Sequence, residues 1–295
     1  MSDSRRSDSP LTDPSDDTPE RDRQCERFCS LDGGEIIILR SSDRVLFNIH
    51  RINLQITTDG PLAEDFPSAP EEIVQLTESA DTLELLFQYV YRGRHPILDE
   101  ISVTKLLDLA EAAEKYGVSA ARSLCYVRLC RPSAHQLQPL QVMAYAHRHG
   151  YPHLLDLVAP LTIGMPISKV QDACSISLFF QWLRYNDAWV QLNARDCHEV
   201  RARDKHEGST RHCFAWRALV YSVDITLSGH GLSMLTNLDG LFAMDALAKT
   251  ADRCGDVEFL GARKCMLQML EWKKLLEEKS ALIPPLSQFQ ATATT

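Results

Sequence analysis

The sequence predicts an α+β N-terminal module followed by a mainly α-helical C-terminal region. Two β-rich apolar runs lie close together at 35–39 and 45–49, and a third follows at Ile73-Val74-Gln75-Leu76. From residue 83 onward the apolar residues recur at helical spacing instead, through to about residue 276.

Residues 1–27 mix Asp, Glu and Arg with Ser and Pro and carry almost no apolar side chain beyond Leu11, so little offsets the entropy of ordering them. They are expected to form a disordered tail in which Ser9-Pro10 and Thr18-Pro19 are solvated dipeptides. After Asp32-Gly33-Gly34, the run Glu35 to Leu39 breaks at Ser41-Ser42-Asp43 and resumes at Val45, which predicts a hairpin. Val45, Phe47 and Ile49 alternate with Leu46 and Asn48, so one face should lie on the core. Residues 59–72, with three prolines and several acids, read as an exposed acidic loop.

Ser79 or Asp81 can cap a helix whose Leu83, Leu86, Phe87, Val90 and Tyr91 form one buried stripe, stopped by Gly93. Ser102 begins a second helix with Leu106, Leu109, Ala110 and Ala113 inward and Glu111, Glu114 and Lys115 outward, ending at Tyr116-Gly117. A third runs from Ser119 to Cys130 before Pro132. Two short helices are expected around Gly150-Tyr151-Pro152. Further on, Trp182, Tyr185 and Trp189 share a stripe, and Phe214–Leu227, Leu241–Ala248 and Val257–Leu276 are apolar helical segments. The boundaries that follow are a tail at 1–28, the α+β module at 29–131, a helical extension at 132–167, a helical region at 168–280 and a second disordered tail at 281–295.

Composition narrows the function. With 44% apolar and 24% charged residues the 295-residue chain can bury a sizeable core, and its net charge of -9 argues against phosphate backbones or anionic lipid as partners. Nine cysteines, an odd number in a chain with no secretory h-region, read as reduced thiols of an intracellular, cytoplasmic or nuclear protein. The longest apolar stretch, Ile176 to Leu183, is far short of the roughly 20 residues that a membrane-spanning helix needs.

No Gly-x-Ser-x-Gly, His-Glu-x-x-His or phosphate-loop signature occurs, so catalysis lacks a positive argument and no catalytic residue or cofactor is expected. His50, beside Arg51 at a strand-to-helix junction, reads as a residue that closes the junction, since it has no partnered acid or nucleophile. The most metal-like group is Cys197, His198, His206, His212 and Cys213, but its spacing matches no standard zinc knuckle and charged residues intervene. It is expected to be a polar connection, with Cys254 and Cys265 as buried thiols near helix ends. The competing class is a metal-dependent or thiol enzyme in the helical half, and a zinc measurement discriminates the two.

The segment Leu106 to Cys125 resembles the paired C-terminal helices of BTB (POZ) domains, and Leu85 to Gly93 resembles the helix before them. Phe47-Asn48-Ile49-His50-Arg51-Ile52-Asn53-Leu54 is similar to the family's Phe-x-x-His-Arg/Lys-x-x-Leu at the hairpin's end. Residues 55–66 depart from the family's second short helix. In this, and at Ala144–Asp156 and Ala159–Ile163, the chain is similar to a fungal, mushroom-type BTB group whose biochemical role is unassigned. The resemblance covers roughly residues 30–131. It implies a three-stranded sheet capped by helices and a homodimer made through the first helix and sheet edge. It also implies an adaptor for protein clients, linked to a cullin scaffold of a ubiquitin ligase or to a transcriptional complex.

Overall fold

The computed structural model describes residues 21–64, 72–207, 212–256 and 263–289. It is a mixed α/β chain, mostly helical with one small sheet, and it divides into two compact units: Met1–His95 with Tyr116–Val118, and Pro96–Lys115 with Ser119–Thr295.

In the first unit the expected hairpin is present. Strands β2 (Ile36–Arg40) and β3 (Val45–His50) pair antiparallel with Leu39 opposite Phe47. The turn needs Arg44 in the left-handed region at φ 65°, and Val45 N–H donates to Ser41 Oγ at 2.9 Å. Ile37, Leu39, Phe47 and Ile49 are buried, so the period-2 reading of the core face holds. Strand β4 (Ile73–Gln75) adds parallel to β2, and Gln75 side-chain N–H donates to the Ser41 carbonyl at 3.0 Å.

Two expectations are corrected here. Among the described residues the sheet has four strands rather than three, in the order β1-β3-β2-β4, because β1 (Arg23–Gln24) pairs parallel to β3. The disordered tail set at 1–28 therefore does not extend past residue 20; residues 1–20 themselves lie outside the described residues. Few apolar groups are needed to order this segment because each is well used. Phe28 is buried against Phe47, Phe87 and Tyr91 with ring centroids 6.2, 6.0 and 5.6 Å away, and Asn48 donates to the Phe28 and Cys29 carbonyls at 2.8 and 3.0 Å. Backbone bonds along one edge of β3, together with the aromatic contacts of Phe28, thus make order possible in a charged sequence.

Helix α1 (Arg51–Thr57) leaves β3 directly, and α2 (Ala80–Phe87) is capped by Ser79, whose hydroxyl accepts from Thr82 N–H. Leu83, Leu86, Phe87 and Val90 are all buried, although the helix stops at Phe87 and turns carry the stripe onward. Half of the acidic loop, residues 65–71, lies outside the described residues; within the described half Leu62 is buried rather than exposed. Tyr116–Val118 joins this unit through a bridge between Thr58 and Val118 and a bond from Asp59 N–H to the Gly117 carbonyl at 3.1 Å. The approach is so close that a Cβ on Gly60 would stand 2.5 Å from the Tyr116 carbonyl carbon. Tyr116 donates to Glu78, and burial followed by that carboxylate pushes the phenol's pKa up.

The second unit is helical: α3 (Val103–Lys115), α4 (Ser119–Leu129), α5 (Pro132–His135), α6 (Pro139–Arg148), α7 (Pro152–Val158), α8 (Ile167–Ala173), α9 (Ile176–Leu192), α10 (His198–Arg201), α11 (Phe214–His230), α12 (Leu238–Phe242), α13 (Met244–Ala251) and α14 (Lys264–Ser280). Proline opens α5, α6 and α7 at a position where its missing N–H costs nothing. Trp182, Tyr185 and Trp189 form the buried stripe of α9, with Trp182 Nε1–H donating to Thr162 Oγ1 at 2.9 Å. The segment read as Leu241–Ala248 is two helices broken at Ala243, and residues 257–262 of the Val257–Leu276 segment lie outside the described residues.

Glu114 is not the outward residue expected. It accepts from Tyr145 at 3.2 Å and from Tyr151, and Arg122 stands 3.9 Å away. Two phenols that lose water on burial need an acceptor, and Glu114 supplies one for both. Burial, and then Glu114, pushes Tyr151 up to about 12. The tail set at 281–295 is also corrected in part. Leu286 is fully buried, Ser287 donates to Asp156 at 2.8 Å through its N–H and at 2.7 Å through its hydroxyl, and Phe289 meets Tyr185 edge-on at 5.8 Å. Residues 290–295 lie outside the described residues.

Substituting Phe28→Ala should destabilise the first unit by about 3 kcal/mol, the usual cost of emptying a phenylalanine site in a core. A urea-unfolding midpoint indistinguishable from that of the unaltered chain would mean that this segment does not pack as described.

Candidate functional site

Among the described residues, three places carry the residues that bear on function. The first is the β3–α1 junction. His50 Nε2 lies 2.7 Å from the Asp32 carbonyl oxygen, which can only accept, so the proton sits on Nε2. Nδ1 then accepts from Tyr91 Oη at 2.8 Å, while the His50 backbone N–H donates to the same phenol oxygen at 3.1 Å. Both ring nitrogens are committed to closing the junction. Arg51, next in sequence, is buried and pairs with Glu35 at 2.8 Å. Among the described residues the groups bonded to His50 are Tyr91 and the Asp32 carbonyl, the geometry of a residue that closes the junction.

The second place is the surface of α1. Ile52 and Ile56, four residues apart and so on one side of the helix, are 55% and 70% exposed. Ile49 and Leu54, close to them in sequence, are fully buried. They belong to the core.

The third is in the helical unit, where the sequence cluster at 197–213 is split and rebuilt. Cys197 is buried without joining it, His198 is exposed, and His212 is largely exposed with Nδ1 3.9 Å from Asp204. His206 and Cys213 instead meet Cys254 and Cys265. His206 Nε2, Cys213 Sγ, Cys254 Sγ and Cys265 Sγ all lie within 4.8 Å of one another. The Cys213–Cys265 and Cys213–Cys254 sulfur separations are 3.4 and 3.9 Å, and Cys254 Sγ is 3.3 Å from His206 Nε2.

Each donor is delivered by a different local structure. His206 follows α10 in an irregular connection, Cys213 is the residue before α11, Cys254 lies in the turn after α13, and Cys265 is in the first turn of α14. Backbone bonds from Cys213 N–H to Asp204 and from Cys254 N–H to Ala251 fix two of these turns, and Trp216 Nε1–H donates to the Arg203 carbonyl at 3.1 Å. The expectation that Cys254 and Cys265 are merely buried thiols is corrected to this extent: they are buried, and they face two further donors.

The electrostatics of the cluster follow from burial among polarisable partners. Burial alone raises a thiol's pKa, as it does for Cys174, pushed up to about 11. At Cys254 burial also works upward, but hydrogen bonds from Cys265 and the Asp256 backbone outweigh it and bring that thiol down to about 7, while Cys265 is pushed up. Arg263 donates to the Cys254 carbonyl at 3.0 Å, placing a cation beside the group.

Compared with known proteins, the chain matches no family model, no curated protein and no solved structure. No helix among the described residues is long and apolar enough to cross a membrane.

Replacing Tyr91 by Phe should cost about 1–2 kcal/mol, because it removes the donor to His50 and leaves the His50 backbone N–H without its acceptor. An unchanged melting midpoint in Tyr91→Phe would show that water or another group satisfies the junction equally well.

Proposed function

We propose that this is a non-catalytic protein-interaction protein whose N-terminal α+β module is BTB-like and self-associates through α1. The observation that carries the reading is the exposed pair Ile52 and Ile56 on a helix whose other side is anchored by Leu54 and Arg51. Apolar side chains held rigidly in water by a buried anchor make a pre-formed contact surface. The occupant proposed is a second copy of this chain, related by a twofold axis so that the same helix is buried on both sides. Recruitment of clients to a cullin scaffold or a transcriptional complex remains what the resemblance implies, and it is proposed on that ground alone.

The enzyme alternative has one feature in its favour, the 3.3 Å separation of Cys254 and His206, which is the reach of a thiol–imidazole pair. Both residues are almost fully buried and two more thiols stand against them. A nucleophile needs a path for its substrate, and this one is enclosed by its neighbours.

The full chain should therefore sediment and scatter light as a dimer at micromolar concentration, and Ile52→Asp with Ile56→Asp should convert it to a folded monomer. Both substituted positions are exposed, so the fold itself should be retained. A wild-type chain that is monomeric at tens of micromolar, or a double variant that stays dimeric, would remove α1 as the self-association surface.

A further inference from the structure

We propose that His206, Cys213, Cys254 and Cys265 form a structural zinc site that ties together the ends of α11, α13 and α14. This inference stands apart from the proposed role of the N-terminal module and would survive the loss of that reading.

Geometry carries it. With Zn–S of about 2.3 Å and Zn–N of about 2.05 Å, a tetrahedral site has sulfur–sulfur edges of about 3.8 Å and sulfur–nitrogen edges of about 3.6 Å. The observed edges are 3.9 and 3.4 Å between sulfurs and 3.3 Å from Cys254 to His206, with the remaining pairs no wider than 4.8 Å. Four donors at those separations enclose the volume of a single metal ion. An iron–sulfur cluster would stand between its thiolates and hold them much farther apart.

The donor set selects the metal. Three soft thiolates with one imidazole in tetrahedral array suit zinc over the hard, oxygen-seeking cations. Four protein donors fill the coordination sphere and leave no position for water or substrate, which makes the site structural rather than catalytic. The imidazole is also presented as a ligand should be. His206 Nδ1 faces the Glu207 carbonyl oxygen at 3.3 Å, which holds the proton on Nδ1 and leaves the Nε2 lone pair turned toward the sulfurs. Asp256 Oδ2 also lies 3.3 Å from Nε2, but that carboxylate is half-exposed and can turn to solvent when the ion takes the lone pair.

Binding as three thiolates and a neutral imidazole releases the thiol protons to solvent and leaves one net negative charge on the centre. Arg263, bonded to the Cys254 carbonyl, lies beside it to offset that charge. The sequence separations explain what the ion does. Cys213 is 41 positions from Cys254 and 52 from Cys265, and His206 is 48 from Cys254, so one ion closes loops that the chain entropy opposes. Without metal, two buried thiols, Cys254 and Cys265, and the half-buried Cys213 crowd together for weak sulfur hydrogen bonds.

Purified full-length chain, prepared without chelator, should contain about one zinc per chain by elemental analysis. Titration with an organomercurial should release that zinc as the cluster thiols react. Cobalt(II) exchanged into the wild-type protein should give the intense visible bands of tetrahedral thiolate coordination, a readout that needs no variant and no refolding. Cys254→Ser and Cys265→Ser should lower zinc content at least fivefold, His206→Cys should keep it, and the controls Cys174→Ser and His198→Ala should leave it unchanged. A zinc-free wild-type chain whose melting temperature ignores both zinc and chelator would overturn the proposal. A Cys213–Cys265 disulfide in protein purified under reducing conditions would do the same, as would zinc retained when Cys254 and Cys265 are both replaced.

Discussion

Helices of four to eight residues cannot hold themselves together in water, because the cost of nucleating each one is recovered only over several turns, and much of the helical unit is built from such pieces. Their order has to come from ties made by side chains between elements far apart in sequence. Glu114 on α3 takes the phenols of α6 and its following turn; Asp156 on α7 takes both donors of Ser287; Thr162 takes the indole of α9. Each tie satisfies a polar group that burial would otherwise leave costly, so it fixes orientation as well as proximity. The thiol and imidazole group at residues 206, 213, 254 and 265 extends this pattern to the ends of α11, α13 and α14.

The same requirement explains what could be read from the sequence. Local periodicity carries the hairpin and the α2, α3 and α9 stripes, because each is decided by residues a few positions apart: Phe47 with Ile49, Leu83 with Leu86, Trp182 with Tyr185. The segment at 21–28 is hidden because its apolar content is only Cys25 and Phe28. Its order depends on β3 offering backbone groups on one side and an aromatic pocket on the other. Glu114 is misplaced by helical phase alone, since nothing in α3 announces two phenols arriving from residues 145 and 151. The donor cluster is the extreme case. Its two nearer pairs, 206 with 213 and 254 with 265, match no familiar spacing, and their meaning appears only when chain segments some fifty positions apart are folded against each other.

The exposed side of α1 obeys a different logic. Ile52 and Ile56 are not left over from poor packing, because the residues between and beside them, Leu54 and Arg51, are anchored by full burial and by the pair with Glu35. A rigid helix spends little further entropy on binding, so even a modest apolar face can be effective when it meets its own copy twice across one axis. The edges of the sheet, by contrast, are strands of two and three residues with charged neighbours, which discourages open-ended strand addition. The association proposed through α1 would be closed rather than open-ended.

The two proposals make the stability of the protein depend on two separate quantities. A surface buried between copies stabilises the native chain in proportion to the logarithm of chain concentration, whereas a metal held only by the folded state does so with free zinc. Because the first surface lies in the N-terminal unit and the second centre lies wholly in the helical unit, the dependences should appear on different transitions. Proton linkage separates them further. Metal binding displaces thiol protons, so zinc stabilisation should strengthen as pH rises through the range where cysteines ionise, while an interface of isoleucines has no such term. A single unfolding transition that shifts with both variables would then mean that the two units unfold as one cooperative body, a property that neither unit's own contacts determine.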